Sequence, residues 1–289
     1  MAVTGDTQLA ATKNDLILEI VQRELKEKAK VIASNCMQDL SSRVGKGMRS
    51  IEVPKSTSFT PQDRASAVAG TNQDLTFSTD VLNLDKRKHV QWLIDTNDEI
   101  ESTVAVEIEN AKRAVSGLAR QFDIDAFTVM DAVASHTAQG APEDASRDHV
   151  LGMREELLFQ NAMEESICYW ASVDQYHNLL KIAEFSEVRL YGDQIIKSGQ
   201  IGTLYGHPVY MSNLVPAGQM FALEQSGIGY AFQRFPSMDE RNAPEYGTGA
   251  QVKVMDAKYG IAGMQLGVDS GKGSDAVGAA ESPLVVKLQ

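Results

Sequence analysis

Residues Gly199–Gly218 read GQIGTLYGHPVYMSNLVPAG, and this stretch decides how the rest of the chain is read. Two short extended runs, Ile201–Tyr205 and Val209–Ser212, are parted by Gly206-His207-Pro208. Gly206 adopts backbone angles that other residues avoid, while Pro208 fixes its own φ and pushes His207 toward an extended conformation. A Pro-x-Gly turn follows, and then another apolar run, Met220–Leu223. The stretch contains strands and turns but no nucleophile, metal cluster or phosphate cradle. Its content is shape.

Upstream, Ile167–Val173 has the apolar density of a buried strand, and Asp174 is placed to cap a short helix with Tyr176, Leu179 and Leu180. Ser146–Asn161 predicts a helix with Val150, Met153, Leu157 and Leu158 inward, and His136–Asp144 a loop. The strongest helix signal lies at Asn97–Phe122. Thr96 and Glu99 form a capping box, and Ile100, Val104, Ile108, Ala111, Val115, Leu118 and Phe122 follow at steps of three or four. At roughly 1.5 Å per residue this strut spans about 39 Å, and Asp123–Val133 extends it by a further helical turn or two. Before it, Val81–Asp95 is extended, with Val90, Trp92 and Ile94 on one face and His89, Gln91 and Leu93 on the other.

The N-terminal half carries the second distinctive pattern. Arg49–Lys55 alternates Ile51 and Val53 with polar residues, and Asp74–Thr79 alternates Leu75 and Phe77. The long polar stretch Ser56–Gln73 joins them, which reads as a projecting hairpin. A two-stranded ribbon alone is marginal, so something outside it must hold it. Asn14–Leu40 predicts a charged helix with a narrow apolar stripe, suited to a surface or a neighbouring subunit. Downstream, Gly229–Phe232 reads as a short strand, Gln251–Met255 and Tyr259–Leu266 as a hairpin across Asp256-Ala257-Lys258, and Asp269–Ala280 as a flexible tail.

Composition excludes several functions. The formal net charge is −12, against the clustered Lys and Arg of a nucleic-acid binder. Cys36 and Cys168 form neither a CxxC nor a zinc pattern, which predicts no disulfide framework and fits a reducing compartment. The uncharged window Ser198–Leu223 is broken by Gly199, Gly202, Gly206, Gly218, Pro208 and Pro216, so no membrane helix is expected.

Nor does a reactive motif emerge. His89, His136, His149, His177 and His207 lack metal spacing, and no G-x-S-x-G elbow occurs. Gly267–Gly273 imitates a phosphate loop but is one residue short, with Gly273 where a magnesium-binding Ser or Thr must stand. The acidic pairs Asp123/Asp125, Glu155/Glu156 and Glu164/Glu165 read as solvated faces. The expectation is no catalytic residue, no cofactor and no metal.

The order of elements, with the runs DVLNLDKRKHVQWLIDTNDEIES (80–102), GTLYGHPVYMSNLVPAG (202–218) and DAKYGIAG (256–263), resembles the major capsid proteins of tailed bacteriophages with the Hong Kong 97 fold. The resemblance implies an α+β subunit with an N-arm at 1–48, an extended E-loop at 49–79 and a C-terminal tail at 269–289. It implies a peripheral P-domain at 80–120 and 250–268, with a spine helix Asn97–Arg120, and an axial A-domain at 121–249. It further implies a structural protein that self-assembles, as pentamers and hexamers, into an icosahedral shell around double-stranded DNA. Assembly would take place in the host cytoplasm, and the mature location would be the virion capsid.

Fewer than fifty residues precede the E-loop, which implies a separate scaffolding protein rather than a cleaved scaffolding segment. A portal is implied too, and there is room for a decoration protein. Within the E-loop, Phe59 is the apolar anchor, and Arg49, Lys55 and Arg64 are candidates for intersubunit pairs. Acidic walls would hold packed DNA off the surface within a screening length of about 8 Å. An encapsulin-type protein compartment shares the fold, and a soluble enzyme with an unrecognised site is the reading from another class.

Overall fold

The long helix organises the molecule. In the computed structural model, α1 runs unbroken over Val104–Val133, 30 residues, or about 45 Å at 1.5 Å per residue. It passes Arg120, where the resemblance ends the spine, and takes in the extension expected over Asp123–Val133. The structure describes residues 23–25, 28–56, 63, 72, 77–94, 104–136, 145–160, 162–182, 202–246, 250–264 and 284–288. The capping box at Thr96 and Glu99 lies outside them. Ala111, Val115, Leu118, Phe122, Ala126 and Met130 form the buried stripe of α1, at the spacing an amphipathic helix requires.

That stripe packs on a four-stranded sheet in the order β1-β10-β11-β4. β1 is Gln38–Asp39, β4 Lys86–Ile94, β10 Ile228–Asn242 and β11 Gln251–Gly263. Phe122 meets Tyr230 edge-on at 5.6 Å, Phe232 at 5.3 Å and Tyr259 at 5.1 Å between ring centroids. Such pairs add to plain burial. Along β4, Val90, Trp92 and Ile94 are half-buried while His89, Gln91 and Leu93 are exposed, as the alternation predicts.

Two expectations fail in this sheet. The short strand at Gly229–Phe232 is part of a 15-residue strand. The expected hairpin across Asp256-Ala257-Lys258 does not exist, because β11 runs straight through it. Asp256 and Lys258 look like turn residues only until their surroundings are known. Arg87 of β4 reaches Asp256 at 3.1 Å, and Arg234 of β10 reaches it at 3.1 Å from the other side. A carboxylate flanked by two guanidinium groups sits comfortably in mid-strand.

The second sheet has the order β5-β12-β9-β6-β8-β7. Its strands are β5 Ser135–His136, β6 Ile167–Ala171, β7 Thr203–Leu204, β8 His207–Met211, β9 Met220–Glu224 and β12 Val285–Leu288. Every residue of β6 and β9 is buried. Helices α2, Arg147–Phe159, and α3, Val173–Lys181, share its core through Val150, Met153, Leu157, Tyr176 and Leu179. Leu158 turns outward, 37% exposed, against expectation. The cap of α3 is Ser172, whose side chain accepts from the Gln175 amide, and Asp174 occupies the first turn instead.

The β7–β8 turn is tighter than the glycine and proline suggest. Tyr205 and Gly206 form its two-residue loop with φ of 50° and 88°, the paired left-handed values of a type I′ hairpin. His207 and Pro208 therefore belong to β8. The chain end also departs from expectation: β12 is a fully buried strand beside β9, and Lys287 holds Asp131 near the end of α1 at 2.8 Å. Residues 265–283, most of the expected tail, lie outside the described residues.

At the N-terminal side, helix ends at Ala33 rather than continuing to Leu40. Asn35 takes φ 54° and the chain turns extended into β1. Leu25, Ala29 and Val31 are buried in the core that α1 covers, so this segment docks on its own subunit.

Candidate functional site: the projecting ribbon and its anchor

β2, Ser50–Ser56, and β3, Phe77–Asn83, pair antiparallel with Ser50 opposite Asn83 and Ser56 opposite Phe77. Among the described residues they form a sheet of two strands. β3 thus continues beyond the expected limit at Thr79. The root of the ribbon is well built. Ile51, Val53, Leu82 and Leu84 gather with Leu40, Ala231 and Met264 into a small core of their own, and the Leu84 amide donates to the Arg49 carbonyl at 2.8 Å. At Gly260 of β11 the ribbon backbone comes so close that a Cβ would lie 2.1 Å from the Asn83 carbonyl oxygen. Only glycine permits that approach. The ribbon is therefore seated at one end on its own chain, which answers in part the demand for outside support.

Of the residues singled out as contacts, Arg49 is exposed at the ribbon root, and Lys55 stands in β2 opposite Ser78. Phe59 and Arg64 lie outside the described residues. The structure thus places Lys55 within β2 and Arg49 just before its first residue.

Sequence reasoning missed the groups that fix the anchor. Asp123 and Asp125, read as a solvated pair, are 2% and 8% exposed. Asp123 accepts the backbone N–H groups of Lys30 at 3.0 Å and Val31 at 3.2 Å, pinning the N-terminal segment to α1. Burial pushes its carboxyl up to about 6, against the pull of those two amides. Asp125 accepts from Tyr259 Oη at 2.9 Å and faces Lys86 and Lys88 at 3.6 and 3.7 Å. Burial raises the Tyr259 phenol, with the Asp125 charge adding to it. The only sequence signal was the position: both aspartates follow Phe122 on a helix whose buried stripe had not ended.

An open cavity of about 550 Å³ is lined by Met163, Glu164, Glu165, Ser166, Tyr205, Gly206 and His207. His207 is 4% exposed and its Nε2 has no hydrogen-bond partner. Burial lowers its basicity, and Arg154 lowers it further. Among the described residues, no three His, Cys, Asp or Glu side chains gather as a metal site, and no helix is long and apolar enough to cross a membrane.

No family model matches the sequence, and no curated protein matches it. Solved structures do. A structure from Mycobacterium phage Che8 is 16% identical and covers 88% of this chain and 89% of its own, with a TM-score of 0.69. The asymmetric unit of the bacteriophage PhiM1 mature capsid is 12% identical over 88% of this chain and 85% of its own, with a TM-score of 0.63. A virus-like particle from Pyrococcus furiosus is 9% identical over 96% of this chain and 98% of its own, with a TM-score of 0.59. At these identities the likeness is one of fold, and the fold is the α+β tailed-phage capsid fold of Hong Kong 97 type.

Proposed function

We propose that this protein is the major capsid protein of a tailed bacteriophage, a structural protein that self-assembles into an icosahedral shell enclosing double-stranded DNA. The observation that carries the reading is the likeness in fold to phage capsid structures over almost nine-tenths of the chain. The ribbon supports it independently, since two strands with a core only at their root suit a neighbour's surface. In this reading the protein is not an enzyme. Each subunit lays its E-loop, residues 49–79, over an adjacent copy, with Arg49, Lys55, Phe59 and Arg64 at the contact. Interfaces of that obligate kind bury on the order of 2,000–5,000 Å², and closed symmetry adds many of them together.

The N-arm, residues 1–48, and the P-domain, 80–120 with 250–268, frame the subunit. The A-domain, 121–249, carries the second sheet and takes in β12 from the C-terminal tail, 269–289. Subunits assemble as pentamers and hexamers in the host cytoplasm with a separate scaffolding protein and a portal, and the finished virion capsid has room for a decoration protein. Sedimentation and negative-stain microscopy of the expressed chain test this directly. Closed particles of megadalton mass are expected, and a monomer at every concentration and salt condition would overturn it. An encapsulin-like compartment is the second reading, favoured by the Pyrococcus furiosus likeness. Protein cargo rather than DNA inside particles from the native source would select it.

A further inference from the structure

Cys36 and Cys168 are far apart in sequence, yet both stand in one core cluster. Cys36 follows the helical turn Lys30–Ala33, and Cys168 lies within β6. They are 2% and 3% exposed, and both are free. Their surroundings are firmly placed. The Ser34 carbonyl accepts from Tyr210 Oη at 3.4 Å and from Cys36 Sγ at 3.7 Å. Tyr210 stacks on Trp170 at 5.0 Å, and Trp170 shares the β6 face of Cys168. The Cys168 contact draws the Cys36 thiol below its ordinary value, whereas burial holds the Cys168 thiol well above it.

We propose that Cys36 and Cys168 are an internal cross-linking pair, which oxidation joins into a disulfide that fastens the N-terminal segment to β6. A small neutral oxidant of the peroxide class suits so enclosed a site. The Cys36 thiolate attacks one peroxide oxygen, the O–O bond breaks, and hydroxide leaves and takes a proton as water. Cys36 is then a sulfenic acid. The Cys168 thiol, losing its proton, displaces the sulfenic oxygen, which leaves as a second water while the S–S bond forms. Two thiols are oxidised and one hydrogen peroxide is reduced to two waters. Cys36 lies in an irregular stretch between a helical turn and β1, which gives the backbone latitude to bring the two Cβ atoms to disulfide spacing. In the shell reading, and only there, the bond has a time: the host interior keeps it open, and release into oxidising surroundings closes it.

The test treats the reduced full-length chain with hydrogen peroxide, alkylates it after denaturation, and maps tryptic peptides without reduction. The expected product joins the peptide 31–43 to the peptide 155–181 within a band of monomer size, and the thermal midpoint rises by roughly 5 °C. Met163, 70% exposed, reports that oxidant was present. In Cys168→Ala, dimedone captures a sulfenic acid at Cys36, and in Cys36→Ala it captures none. Intermolecular dimers, sulfinic acid at Cys36 beside an intact Cys168, or two unreacted thiols beside oxidised Met163 would each overturn the proposal. If a variant fails to fold, the wild-type peptide map alone decides. That map does not depend on particle formation, so failure of the shell reading leaves a separate signature.

Discussion

The ribbon β2–β3 and the strand pair β10–β11 are both antiparallel and both alternate apolar with polar residues, but they bury those residues differently. β10–β11 is flanked by β1 and β4 and covered by α1, so Met255, Ala257, Tyr259 and Ile261 are all buried. Among the described residues the ribbon has no third strand, and its buried residues Ile51, Val53 and Leu82 share a small cluster near the sheet. Glu52 and Pro54 face out, and Val81 is 45% exposed. One pair is a wall of the subunit. The other is a handle that a larger structure must grip, since a pair of strands needs a covering layer to be stable.

The largest test of that contrast removes the handle. Deleting Thr57–Asn72 is expected to leave a soluble folded subunit that forms no shells; normal particles by electron microscopy would show that the ribbon is dispensable. Next, Gly260→Val drives a side chain into the Asn83 carbonyl and should cost about 2–3 kcal/mol in urea unfolding. The damage should fall on the ribbon root, so amide exchange should quicken in β2 and β3 before it does in α1.

A third test concerns Asp123. Its folded-state carboxyl is raised from 3.8 to about 6, so the folded chain holds that proton more tightly than the unfolded chain. This group's contribution is complete below about pH 4 and is lost as pH rises through 6. Between pH 4.5 and 7 the change is about 2 kcal/mol, and Asp123→Asn should flatten that part of the stability–pH curve. Unchanged pH dependence in the variant would assign it elsewhere. The smallest effect is expected at Arg113, whose pair with Glu109 spans 2.6 Å with side chains 75% and 60% exposed. Arg113→Ala should change stability by less than about 0.5 kcal/mol.

What could be read from the sequence follows from range. The stripe Ala111, Val115, Leu118, Phe122 is a local pattern, as is the alternation of Ile51 and Val53, and both elements were legible. So was the phase of β4, from Val90, Trp92 and Ile94. The continuity of β11 was not, because the group that keeps Asp256 in mid-strand, Arg87, stands 169 positions away. The buried state of Asp123 had the same origin, since its donors are the amides of Lys30 and Val31. β12 looked like part of a loose end because its neighbours β5 and β9 come from elsewhere in the chain. Of the proposed contact residues, Lys55 lies in β2 and Arg49 is exposed just before it. In the proposed shell their partners would belong to other copies, a geometry that no single chain encodes.

The unbroken run of α1 has a mechanical corollary. A helix of 30 residues without proline acts as a stiff lever, so whatever tilts one end tilts the other. In the proposed shell, copies fitting both fivefold and sixfold surroundings would then bend somewhere else. The irregular steps of β10 opposite β11, between Phe232 and Arg234 and between Arg234 and Ser237, are where a twisted strand gives way most readily. Curvature of the wall would be set at those few residues.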